Sequence, residues 1–151
     1  MSSPATGVGT LTHRFFSGLM NTGIGGPTDV DPSTQPNCIG IAYDAGDTEV
    51  QFIHNDGSGV CTKIPLGPTF PKPNTDDGAL YEVILHSPKG TTQIVNYLVR
   101  ERLSGAIAFG QVVTNLPATT IVLRAGTWIS VGGTSSIIGF TLSLYAYDPL
   151  I

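Results

Sequence analysis

The side chains able to do chemistry are few in this sequence, and their spacing decides between catalysis and holding. Its glutamates are Glu49, Glu82 and Glu101. A glycosidase needs two carboxyls about 5–9 Å apart across a cleft. Glu49 and Gln51 share a strand face at i, i+2, but a second acid is missing, so that chemistry is not expected. Asp29, Asp31, Asp44, Asp47, Asp56, Asp76 and Asp77 all fall in loop or turn runs. Calcium wants about six to eight oxygens, and no repeated loop motif supplies them; turn formation is the plainer role. His13, His54 and His86 share no metal spacing. No Ser/His/Asp elbow, Walker loop or dinucleotide fingerprint is present, and the glycines at 23, 25 and 26 open no helix. Neither enzyme nor cofactor is expected.

What remains is binding chemistry. The polar turns at 44–47 and 55–59 offer Asp44, Asp47, His54, Asn55 and Asp56, and turns at one rim of a sandwich suit a sugar. Trp128 is a candidate stacking platform, although a core position is the plainer reading. Tyr145 and Tyr147 fall on the face opposite Phe140 and Leu142, where outward tyrosines suit a subunit interface better than a sugar.

The elements that must position these residues centre on 38–64. Asp44-Ala45-Gly46-Asp47 and Asn55-Asp56-Gly57-Ser58-Gly59 carry the chemistry of reversal, since Gly takes φ > 0 freely and Asn and Asp bond their own backbone. Folding about the first turn sets Ile39 opposite Phe52, Ile41 opposite Val50 and Tyr43 opposite Thr48. Folding about Gly57 sets Val60 opposite His54, Thr62 opposite Phe52 and Ile64 opposite Val50. Both turns give one apolar face, with Ala42, Glu49, Gln51 and Lys63 on the other, wet one: an antiparallel meander. This register places Cys38 and Cys61 on either side of Ile53, about 9.5 Å apart. A disulfide needs Cα atoms within about 7 Å, so two free thiols are expected.

Residues 11–20 read as a strand, with a short helix as the competitor, and 21–37 as a long loop of the kind that is functional or interfacial. Further strands are expected at 80–86, 92–100, 106–115, 120–123 and 127–131, with Arg124-Ala125-Gly126 separating the last two. A long strand at 137–147 closes the chain. Roughly nine or ten strands without an amphipathic helix predict an all-β, antiparallel two-sheet β-sandwich or jelly roll. Residues 1–10 read as an extended arm and 11–151 as one domain.

Only 12% of residues are charged, against a usual ~25%. So few charges suit a surface largely covered by neighbours. The net charge of −4 without a basic cluster argues against nucleic acid. No apolar run approaches the ~18 residues of a membrane span. The N-terminus lacks the basic and apolar regions of a signal peptide, so synthesis in a cytoplasm is expected.

The run IGIAYDAGDTEVQFIHNDGSGVCTKIPLGPTFP resembles a module of bacteriophage virion proteins, found in tail-fibre and related surface proteins of tailed phages. The resemblance covers roughly residues 14–147 and rests on order along the chain. Its pieces are Arg14-Phe15-Phe16, 39–47, His54-Asn55-Asp56-Gly57-Ser58-Gly59, Leu66-Gly67, Phe70-Pro71, Tyr81-Glu82, Asn115-Leu116-Pro117, 131–136 and Leu144-Tyr145. It implies a lectin-like β-sandwich on the virion surface, displayed as a homotrimer, with the major capsid or a tail protein as partner. A module standing with only a short arm ahead of it fits a head-decoration (cement) protein or a short fibre tip better than a fibre with its own shaft. Recognition of host surface glycan is the alternative.

Overall fold

The computed structural model describes residues 12–21, 29–73, 79–90 and 93–131. They form a two-sheet antiparallel β-sandwich. The strands are β1 (Arg14–Met20), β2 (Cys38–Tyr43), β3 (Gln51–Asn55), β4 (Thr62–Pro65), β5 (Tyr81–His86), β6 (Val95–Glu101), β7 (Ile107–Val112) and β8 (Arg124–Ser130). One sheet runs β4-β3-β2-β1-β8 and the other β5-β6-β7. The expected arm at 1–10 and the strand at 137–147, with Tyr145 and Tyr147, lie outside the described residues.

The core lies between the sheets. Ile39, Ile41, Tyr43, Val50 and Phe52 of the large sheet and its loops meet Tyr97, Val99 and Val112 of the small one. Phe52 and Tyr97 stack with ring centroids 3.9 Å apart. The apolar face expected of the meander is therefore the core face.

Its register differs from the expected one by two residues at each turn. Ile39 pairs with His54 and Ile41 with Phe52, while Phe52 pairs with Ile64 and His54 with Thr62. A shift of two keeps every side chain on its face, which is why the face was legible although the pairs were not. The first turn is wider because 48–50 leave β2 for the 66–72 segment. The Val50 amide donates to the Phe70 carbonyl at 2.8 Å, and the Lys72 amide to the Thr48 carbonyl at 2.9 Å. The second is widened by two successive Asx turns, in which the Gly57 amide donates to Asn55 Oδ1 and the Ser58 amide to Asp56 Oδ1.

The face expected to be wet is not. β2 and β3 are buried at every position. A 3-10 turn at Pro32–Thr34 and its flanking loop bond over the outer side of the large sheet: the Ser33 amide donates to Asp44 and the Ser33 carbonyl accepts from the Cys61 amide. A second small core of Phe16, Met20, Cys38, Ala42, Ile53 and Cys61 lies on that side, with Trp128 packed against it.

Two strand expectations need correction. Residues 119–121 form a turn, and Arg124-Ala125-Gly126 begins β8 instead of breaking it. Gly126 pairs with Gly18, which pairs with Gly40, so three glycines stand side by side across β8, β1 and β2. They permit close approach of strands, not chain reversal.

In the small sheet, Glu101 organises the β6–β7 turn. Its carboxylate accepts from the amides of Ser104, Leu103 and Leu80. The hydrogen bonds from Ser104, side chain and backbone, and from the Leu103 and Leu80 amides hold its pKa at about 2. The folded value lies below the unfolded ~4.3, so the carboxylate contributes stability above that pH, lost as pH falls toward about 2. Glu101→Gln is expected to lower Tm by a few degrees at neutral pH and to flatten the decline of Tm between about pH 4.5 and 2. Thermal melts across that window check it.

Candidate functional site

The two polar turns do not share a rim. Successive turns of a meander alternate ends, so 44–50 lies where β2 meets β3 and 56–61 at the opposite end, where β3 meets β4.

At the first rim the carboxylates are engaged from within. Lys63 Nζ lies 2.9 Å from Asp44 Oδ2 and 2.6 Å from Asp47 Oδ1. Asp47 Oδ2 also accepts the Asp44 amide at 2.8 Å. Burial opposes a charge on Lys63, but Asp47 and Asp44 outweigh it and raise its pKa. Lys72 donates to the carbonyls of Asp44 and Ala45, both at 2.9 Å, and its ammonium sits 5.1 Å from the Tyr43 ring centroid. Arg14 pairs with Asp31 at 2.6 Å and Asp29 at 3.1 Å. The rim is a set of ion pairs that fixes the turn.

At the second rim, Asn55 is fully buried, donating to the carbonyls of Gln35 at 3.0 Å and Gly59 at 3.3 Å. Asp56 is exposed, and the hydroxyl and amide of Ser58 hold its carboxyl below the usual range. His54 is buried, its Nδ1 3.0 Å from the Asn115 carbonyl.

Sequence reasoning did not single out Asn115 as the tie for this rim. Its Oδ1 accepts the Asp56 amide at 3.0 Å, and its Nδ2 donates to the His54 carbonyl at 3.2 Å and Thr62 Oγ1 at 2.8 Å. It adopts φ 51, a left-handed conformation that Asn tolerates better than most residues. The signal was an Asn closing a strand just before Leu-Pro. Asn115→Ala is expected to cost about 2–3 kcal/mol, from lost hydrogen bonds and left-handed strain. Asn115→Gly removes the strain and recovers about 1 kcal/mol of that. Urea denaturation of both variants measures the difference.

Trp128 stands beside Phe16 across β1 and β8 and is half-buried, with its Nε1 buried and unpartnered. Its position is that of a packing residue. Among the described residues no three His, Cys, Asp or Glu side chains group as metal ligands.

The unusual surface is the outer face of the small sheet. Phe109 is 78% exposed, Ile107 52% and Ile84 50%. Ile84 pairs with Leu98 and Leu98 with Phe109, so an apolar row crosses all three strands. Beside it, Glu82 pairs with Arg100 at 2.9 Å and Arg102 at 3.3 Å. His86, Asn96 and Gln111 border the other side, with Gln111 donating to Asn96 at 2.9 Å. Ile84, Leu98 and Phe109, with His86, Asn96, Gln111, Tyr97 and Gly110, line an open depression of about 530 Å³. Small-molecule sites enclose most of their ligand; this one is broad and open, the shape a flat partner fills.

Most of β7 has its amphipathicity reversed. Ala108 and Gly110 face the core and Ile107 and Phe109 face out, and only at its end does a large apolar residue, Val112, turn inward. The reason is Tyr97, which lies over Gly110: a Cβ there would stand 2.6 Å from the Tyr97 Oη. The core space is already filled from β3 and β6. The alternation of large and small residues was visible in the sequence, but not which set pointed inward.

No protein-family model matches this chain, and no match was found among the curated proteins or the solved structures.

Proposed function

We propose that this chain is a structural protein of a tailed-phage particle: a β-sandwich that associates as a homotrimer and decorates or cements the virion surface, or forms a short fibre tip. The observation that carries the reading is the apolar row Ile84, Leu98, Phe109 on the outer face of the small sheet, with Ile107 beside it. Large apolar side chains directed outward from a sheet whose other face already forms the core belong to a surface that is covered in the working assembly. The neighbouring charges are few: Glu82 pairs with both Arg100 and Arg102, which leaves a single positive charge in excess beside the row. The sequence resemblance supplies the particle, and the low proportion of charged residues agrees with a surface shared with capsid or tail proteins.

The glycan-binding alternative draws less support from the geometry. Asp44, Asp47 and Asn55 spend their polar atoms within the fold, and the two turns stand at opposite ends. Immunogold labelling of particles with antibody raised against the chain tests the reading. Gold on head or tail surfaces is expected; particles without label, where the antibody detects the chain elsewhere in the lysate, would contradict it.

A further inference from the structure

Cys38 and Cys61 are free and buried, yet their sulfurs are 3.3 Å apart. The expected 9.5 Å separation assumed that Cys61 lay in the ladder beside Ile53. It lies instead just before β4, where its amide has left β3 for the Ser33 carbonyl at 2.8 Å. This carries it over the start of β2, and both sulfurs converge on the Gln35 carbonyl, at 3.5 and 3.4 Å.

We propose that Cys38 and Cys61 are a redox pair, which a small disulfide of the oxidised-glutathione class converts into a buried intramolecular disulfide. A bond of about 2.05 Å requires the sulfurs to close by about 1.2 Å. Cys61 is placed to yield, since it ends an exposed turn in which Gly57 and Gly59 have φ 98 and 72 and Val60 is 69% exposed. Cys38, in the buried β2, is fixed and inaccessible.

Cys61 is accordingly the attacking sulfur. The hydrogen bond from Cys38 stabilises its thiolate and lowers its pKa, while donating that bond and being buried push Cys38 up. The Cys61 thiolate attacks one sulfur of the small disulfide; that S–S bond breaks and one glutathione thiolate leaves. Cys38 then loses its proton to solvent and attacks Cys61, and the second glutathione thiolate leaves. Two electrons pass from the protein pair to the small disulfide, and the two thiol protons end on the two glutathiones. The product ties residues 23 apart in sequence across the meander. It sets after synthesis, when the chain meets oxidising surroundings.

The test treats the reduced, folded protein with oxidised glutathione. The expected result is an intact mass lower by two hydrogens, a peptide map joining Cys38 to Cys61, and a Tm higher by about 5–10 °C. Cys38→Ser should hold glutathione on Cys61, and Cys61→Ser should take up none. A wild-type chain whose thiols both remain alkylatable, that keeps a glutathione adduct, or that cross-links between chains would overturn the proposal. Adduct on Cys61→Ser but not on Cys38→Ser would overturn the order of attack. If either variant fails to fold, the wild-type mass and map still decide.

Discussion

Gly18→Ala is expected to destabilise the fold by about 3 kcal/mol or more, at the upper end of overpacking effects. A Cβ on Gly18 would lie 2.3 Å from the Ile39 carbonyl oxygen and 2.6 Å from the Gly40 Cα. Both are backbone atoms of β2, the central strand of the large sheet, and neither can rotate away. β1 would have to separate from β2, losing ladder hydrogen bonds and disturbing Phe16 and Ile41, which pack on the two faces. Gly40→Ala meets the same obstacle from the other side, 2.3 Å from the Ser17 carbonyl oxygen. Gly126→Ala is the control. It belongs to the same row, but its nearest neighbour is the flexible Met20 Sδ at 3.6 Å, an ordinary contact. Urea denaturation should show Gly126→Ala near wild type and Gly18→Ala far below it. Against a total stability of about 5–15 kcal/mol, the loss is large. Equal midpoints for the two variants would mean that the glycine row is not a close approach.

Phe52→Ala should be comparably severe, costing about 3–5 kcal/mol. Phe52 is fully buried and stacks on Tyr97 with rings 13° from parallel. It is the direct aromatic link between the two sheets, so its loss leaves a cavity at the centre of the sandwich and removes the support that holds Tyr97 over Gly110. The near-ultraviolet circular dichroism should weaken along with the urea midpoint, because both rings lose their fixed surroundings. Phe52→Leu keeps most of the volume and should cost less than half as much. Full retention of stability by Phe52→Ala would show that the sheets are held together elsewhere.

The meander and the all-β class were legible because Ile39, Ile41, Phe52 and Ile64 keep period 2 between Asp- and Gly-rich turns. Exact pairs were not, because the 66–72 segment captures 48–50 and the Asx turns lengthen 56–61; both are tertiary or side-chain effects that no local pattern announces. Gly126 read as a break since a lone glycine carries no sign of whether it turns a chain or lets a neighbour approach. The second face read as wet because Gln51 and Lys63 are polar, whereas the loop around Pro32 folds over it and Lys63 reaches back to Asp44 and Asp47. The candidate turn residues were found where expected in the chain, but their partners were not foreseeable: Lys63 and Asn115 come from other strands and loops. Phe109 was hidden for the opposite reason. A large apolar residue in a strand is ordinarily assigned to the core, and only the position of Tyr97 shows that the core has no room for it.

Sedimentation analysis of the wild type beside Phe109→Asp tests the central claim most directly, because an exposed position 78% open to solvent tolerates Asp without harm to the fold. The wild type should sediment as a trimer at micromolar concentration. Phe109→Asp should sediment as a monomer with unchanged circular dichroism. A wild type that stays monomeric at those concentrations, or a Phe109→Asp chain that assembles as the wild type does, would contradict the account.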